Sequence, residues 1–193
     1  MVKRHESDQI VLKGLLLPEE LSDNLDARQV MVEENTVVDA PFELTDFLKF
    51  TGTLRTYAEV LDWVRNAEGD RQDLDALIDS GRLVRIRDRE GSKYLYEFEG
   101  LKLLPLGYPV SLNDPDSATV WIAETPESTM QLPISERTAD LLWSIEPGED
   151  IPATAIRLAS EAGDDLGVWG HCLKFDLPAL LENRLAWLAE VGK

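Results

Sequence analysis

The chain has 193 residues, 44% apolar and 29% charged, a composition that supports a buried core in one domain or two small ones and excludes a disordered tail. Its 19 Lys+Arg against 37 Asp+Glu give a formal charge of −18, split evenly between residues 1–100 and 101–193, so the acidity is not confined to a tail. Such a chain repels nucleic acid and anionic membranes and attracts basic partners.

The single cysteine, Cys172, cannot form an internal disulfide, and a cytoplasmic location is the default expectation. Met1–Glu6 starts basic, but no apolar signal core follows, and the run Ile10–Leu17 is interrupted by Lys13 and Gly14 and is too short for a membrane span. Residues 1–27 therefore read as an N-terminal extension.

From residue 28 the patterns are regular. Val30 and Val32 alternate with Met31 and Glu33, Glu34-Asn35 turns the chain, and Val37-Val38 resumes it, which predicts a hairpin. Phe42, Phe47, Leu48 and Phe50 fall near helical spacing and Gly52 stops that helix. Thr56-Tyr57-Ala58-Glu59 is a capping box that opens a second helix with Val60, Leu61 and Val64 on one face. Asp70 caps a third helix with Leu74, Leu77 and Ile78 on its apolar face, and Gly81 stands where a left-handed cap belongs. Leu83–Arg87 and Tyr94–Phe98 alternate as two strands around the turn Asp88–Ser92. Three helices followed by a two-stranded wing give the order of a winged helix over residues 28–98.

Gly100, Pro105, Gly107, Pro109 and Pro115 mark residues 99–118 as a connector. A second unit over residues 119–193 then repeats the first. Val120–Ala123 and Thr129–Leu132 flank Thr125–Ser128 as a hairpin, Ser135 caps a helix, Asp150 and Pro152 open the next, and Asp176 opens the last. The third helices match best: Asp73–Leu83 aligns with Asp176–Leu185 if Gly81 is deleted. Residues 163–174, with Gly167 and Gly170 flanking Trp169, read as an inserted compact loop. The fold expectation is α+β, two winged-helix-like units in tandem.

The chemistry of catalysis is thinly represented. His5 lies near the start, and His171 beside Cys172 has no CxxC or HxxxH spacing around it, so neither a metal site nor a Cys–His nucleophile is expected. No GxSxG, P-loop or GxGxxG occurs. No cofactor is expected. The five tryptophans sit in apolar patterns and read as core, with Trp121 and Trp169 the two most open to solvent.

A winged helix usually reads DNA with its third helix. Here that helix carries Asp70, Asp73, Asp75 and Asp79 against Arg71, and its counterpart carries Asp176 and Glu182, so the phosphate-neutralising contribution is missing and duplex DNA is an unfavourable partner. Arg82, Arg85, Arg87, Arg89 and Lys93 form the one basic cluster, which keeps a DNA-binding transcriptional regulator as the alternative reading. An acidic DNA mimic or a chromosome-organising adaptor, whose tandem winged helices the chain resembles in length and acidity, is a further one.

A hairpin ahead of three helices, with "Leu-Thr-Asp-Phe-Leu-Lys-Phe-Thr-Gly-Thr-Leu-Arg-Thr-Tyr-Ala-Glu-Val" followed by "Leu-Asp-Ala-Leu-Ile-Asp-Ser-Gly-Arg-Leu-Val", resembles the PqqD-like domains, the leader-peptide recognition elements of ribosomally made peptide biosynthesis. The resemblance implies a peptide that adds as a strand to the hairpin edge and packs on the third helix. It places the partner site on Thr36, Val37, Val38 and Asp39 as the edge, Leu74 and Ile78 as groove floor, and Asp75 and Asp79 as the acidic match to a Lys- or Arg-bearing peptide. The function expected is a non-catalytic peptide- or protein-binding adaptor.

Overall fold

The computed structural model describes residues 8–16, 30–33, 36–39, 45–110, 119–124 and 131–191. The Glu34-Asn35 and Thr125–Ser128 turns, Phe42 and His5 lie outside the described residues. The fold is mixed α+β and divides into two compact units, residues 1–88 and 89–193. Among the described residues no helix is long and apolar enough to cross a membrane.

The first unit runs β1 (Gln9–Leu12), β2 (Leu15–Leu16), β3 (Val30–Glu33), β4 (Thr36–Asp39), α1 (Thr45–Thr51), β5 (Arg55–Thr56), α2 (Tyr57–Asn66), α3 (Arg71–Asp79) and β6 (Leu83–Ile86). The expected hairpin is present as β3–β4, joined on its other side by β2 in an antiparallel sheet of order β2-β3-β4. A second antiparallel sheet has the order β5-β1-β6. Its central strand is β1, from the segment read in sequence as an extension. Ile10, Val11 and Leu12 are almost wholly buried, and burial of this apolar run gives the strand its place. The core joins Ile10, Leu12, Phe47, Tyr57, Val60, Val64, Leu74 and Leu83, with the Phe47 and Trp63 rings 4.9 Å apart.

The second unit runs α4 (Ser92–Leu95), a 3-10 turn (Tyr96–Phe98), β7 (Leu101–Pro105), β8 (Tyr108–Val110), β9 (Thr119–Ala123), β10 (Leu132–Ser135), α5 (Glu136–Trp143), α6 (Ile151–Ala162), α7 (Leu166–Glu182) and β11 (Ala186–Glu190). Three sequence expectations are corrected here. Tyr94–Phe98 is helical, not the returning strand of a wing: Tyr94, Leu95 and Phe98 are buried while Tyr96 is exposed, a helical rather than an alternating period. The connector at 99–118 contains two strands, β7 and β8. The loop at 163–174 is largely the first half of α7, so Asp176 lies inside that helix instead of opening it. Asp176-Leu177-Pro178 has the look of a helix start because Pro suits the first turn, but here Pro178 stands in the helix interior.

Among the described residues, apart from β5 in the first unit and α4 with its 3-10 turn in the second, the two units share an element order: a strand, a three-stranded antiparallel meander, three helices, and a last strand antiparallel to the first (β6 on β1, β11 on β7). The hydrogen bonds at the joints recur as well. The Lys13 N–H donates to the Arg82 carbonyl (2.9 Å), and the Leu106 N–H donates to the Leu185 carbonyl (2.8 Å). The third helices align at a constant offset, Leu74 with Leu177 and Ser80 with Asn183, so no deletion at Gly81 is needed.

Candidate functional site

The capping that positions α3 is complete. The Asp70 carboxylate accepts from the Gln72 and Asp73 backbone N–H groups (2.6 and 3.2 Å), and the Asp73 carboxylate accepts from the Asp70 N–H (2.8 Å). Two of the four acidic groups of this helix thus satisfy its own N-terminal donors, where negative charge is favoured. On α2 the Thr56–Glu59 box does the same, and the backbone N–H and hydroxyl of Thr56 hold the Glu59 carboxyl below its ordinary range.

Of the residues expected to form the site, Leu74 is fully buried in the first unit's core and so forms no groove floor. Ile78 is partly buried and packs against the same cluster. Asp75 is half-buried and accepts from the Tyr57 hydroxyl (3.1 Å), and Arg71 stands 3.7 Å from its other oxygen with its guanidinium over the Tyr57 ring. Asp75 therefore ties α3 to α2. Asp79 is exposed in the last turn of α3. Thr36–Asp39 form β4, which pairs with β3 alone among the described residues and is the outer strand of its sheet. Among the described residues α3 packs mainly on α2 and β6, and β4 mainly on β3.

What α3 turns to solvent is Arg71, Gln72, Asp73, Ala76, Asp79 and Ser80. Asp79 sits where the helix dipole disfavours a carboxylate, and its equivalent in the second unit, Glu182, does the same at the end of α7. Neither helix has a basic residue in its last turn.

The basic cluster is largely spent internally. Arg85 donates through Nε (2.7 Å) and Nη2 to Asp8 Oδ2 in a buried pair. In the second unit Arg89 lies 3.7 Å from Glu97. No wing hairpin displays these residues, because α4 follows β6.

The second unit holds features that sequence reading missed. Trp169, expected to be among the most open tryptophans, is 2% exposed, whereas Trp143 is 37% exposed. Gly170 lets α7 lie against the start of α4: a Cβ there would stand 2.1 Å from the Gly91 carbonyl oxygen. With that face inward, Val168 and Phe175 face out. Asp176 is buried and accepts from the Ser135 N–H (3.0 Å) and hydroxyl (2.7 Å), pinning α7 to the start of α5. On α6 and its approach, Arg157 donates to Glu149 (2.9 Å) and to the Ser144 carbonyl (2.6 Å), and this contact holds the Glu149 carboxyl down to about 2. Among the described residues no three His, Cys, Asp or Glu side chains converge on a point that could hold a metal ion. No family model matches the chain, and comparison with curated proteins and with solved structures also returns no match.

Proposed function

We propose that this chain is a non-catalytic adaptor that binds a protein or peptide bearing basic residues, and that each of its units is a winged-helix-type module working in the cytoplasm. The observation that carries the reading is the outward surface of α3. It presents Asp73 and Asp79, and its one cation, Arg71, stands beside Asp75. In a winged-helix module this is the helix that meets the ligand, and an acidic helix there favours a cationic polypeptide over a phosphate backbone.

The order helix, strand, helix, helix, strand, with β5 and β6 both antiparallel to a central strand, supports the winged-helix reading. It is a variant of that plan: β1 fills the place that a returning wing strand would take. The outer strand β4 offers an edge to which an extended peptide could add, in the manner of the PqqD-like domains that the sequence resembles. The buried Leu74 limits the PqqD-like groove to Ile78 and the exposed residues of α3.

The test is a pair of anisotropy titrations at physiological salt, one with a fluorescein-labelled Lys-rich peptide and one with duplex DNA of mixed sequence. The reading expects saturable peptide binding and DNA affinity no tighter than about micromolar, the range of non-specific contact. Nanomolar, sequence-dependent DNA binding would replace it with a transcriptional regulator.

A further inference from the structure

α7 has 17 residues where its counterpart α3 has 9, and the extra turns lie at its N-terminal end. Val168 and Cys172 in those turns begin an outward apolar stripe that continues through Phe175 and Ala179. Phe175 is 80% exposed and Val168 42% exposed, while Cys172 and Ala179 are half-buried beside them. The spacing of 168, 172, 175 and 179 is four, three, four, the repeat by which one helix presents a seam to another. The first unit has no such stripe: at the equivalent positions stand Arg65, Gly69, Gln72 and Ala76. Trp169, Leu173, Asp176 and Leu177 anchor the opposite face of the same helix in the core.

The charges around the stripe identify what would cover it. The exposed Asp165 caps its N-terminal end, the exposed Glu182 closes its C-terminal end, and Glu161 lies exposed on α6 just before it. Lys174, the lysine of α7, is engaged by Glu90 (2.6 Å) and the Arg89 carbonyl (3.0 Å). Residues 89–193 hold 8 Lys+Arg against 18 Asp+Glu. A second copy of this chain would bring Asp165 and Glu182 toward their like, and an anionic lipid surface would meet the same repulsion.

We propose that the exposed Val168–Cys172–Phe175–Ala179 stripe of α7, closed by Asp165 and Glu182, docks an amphipathic helix of a partner protein whose apolar face is flanked by Lys or Arg. The proposal rests on the adaptor reading but uses the opposite unit from the α3 surface. The apolar stripe supplies contact area and register, and the carboxylates select the sign of the flanks.

The test uses the full chain and a labelled 18-residue helical peptide with Leu at a/d positions and Lys on the flanks. Its control is a scrambled isomer of the same composition with no apolar face. In the Gln72→Lys/Ala76→Lys background, where the α3 surface no longer contributes, the expected result is saturable binding of the helical peptide, at least tenfold weaker for the scrambled isomer, for added Phe175→Ser and for added Val168→Ser. Because Phe175 and Val168 are exposed, both serine variants should keep the wild-type thermal transition, and either alone suffices if the other fails to fold. Equal binding of the scrambled isomer, or Phe175→Ser and Val168→Ser both indistinguishable from that background, would overturn the proposal and leave charge attraction alone. Concentration-dependent self-association abolished by Phe175→Ser would overturn it in favour of a second copy. Loss of α3 binding with α7 binding intact would count against the adaptor site on α3 and not against this one.

Discussion

Gly81 and Arg184 occupy the same point of the two units, one residue past the C-cap of the third helix, with φ of 75° and 53°. The closing hydrogen bonds are the same at both. The Gly81 N–H donates to the Ile78 carbonyl (3.0 Å) and the Arg82 N–H to Leu77 (3.2 Å); the Arg184 N–H donates to Leu181 (3.1 Å) and the Leu185 N–H to Leu180 (2.8 Å). This is the left-handed helix stop, satisfied by glycine in one unit and by an L side chain in the other.

Arginine in that conformation carries a steric cost that glycine does not. Arg184→Gly is therefore expected to stabilise the second unit by about 1 kcal/mol, the penalty for an L-residue held left-handed, and Gly81→Ala to destabilise the first by a similar amount. Urea denaturation followed by circular dichroism reads both. A stabilised Gly81→Ala variant would contradict the shared geometry.

The Asp8–Arg85 pair gives a second prediction. Asp8 is 3% exposed, and its backbone carbonyl also accepts from the Tyr57 N–H (2.7 Å), so it locks β1 to both β6 and the start of α2. Removing one partner strands the other charge in the core. Asp8→Ala should cost about 3–5 kcal/mol, while Asp8→Leu/Arg85→Met should cost less than the two single replacements together. Additive losses in the double-mutant cycle would show that the two groups are not coupled.

Acid stability should be traceable to Glu149. Its carboxyl ionises at about 2 in the folded chain, against 4.5 for a free glutamate, first because Arg157 donates to it. A lowered folded value means that the stabilisation is complete above about 4.5 and is lost as pH falls through about 2. Wild type and Glu149→Gln are expected to differ by a constant amount from pH 5 to 8 and to converge between pH 4.5 and 2. A gap that persists unchanged at pH 2 would contradict this assignment.

How far the sequence could be read depends on how local each signal is. Capping boxes at Thr56 and Asp70, the Ser135 and Asp150 caps and the glycine at 81 are set by neighbours within a few residues, and all stand where the patterns place them. The strand β1 was legible only as an interrupted apolar run, because its partners lie at Arg55–Thr56 and Leu83–Ile86. The likeness of the two units is legible in the third helices but not in the first strands. Leu12-Lys13-Gly14 and Pro105-Leu106-Gly107 do the same work in each unit with almost no shared side chains, since backbone groups make the contact. At α7, Gly167, Trp169 and Gly170 suggest a loop by composition, and only the close approach of Gly91 explains why glycine is needed inside a helix. For the site, the acidity of α3 was readable, but the division of labour among its carboxylates was not. Asp75 is held by Tyr57 from another helix, a tertiary contact that no local pattern encodes.

In the adaptor we propose, the outward surface of α3 recognises a cationic polypeptide. Gln72 and Ala76 are exposed on that surface, and replacing them removes neither a cap nor a core contact. The decisive measurement is a titration of the Lys-rich peptide against wild type and Gln72→Lys/Ala76→Lys at low and at physiological salt. An unchanged thermal transition is expected, with binding at least tenfold weaker for the variant at low salt and the difference shrinking as salt screens the added charges. Equal affinity of the two proteins at every ionic strength would contradict it.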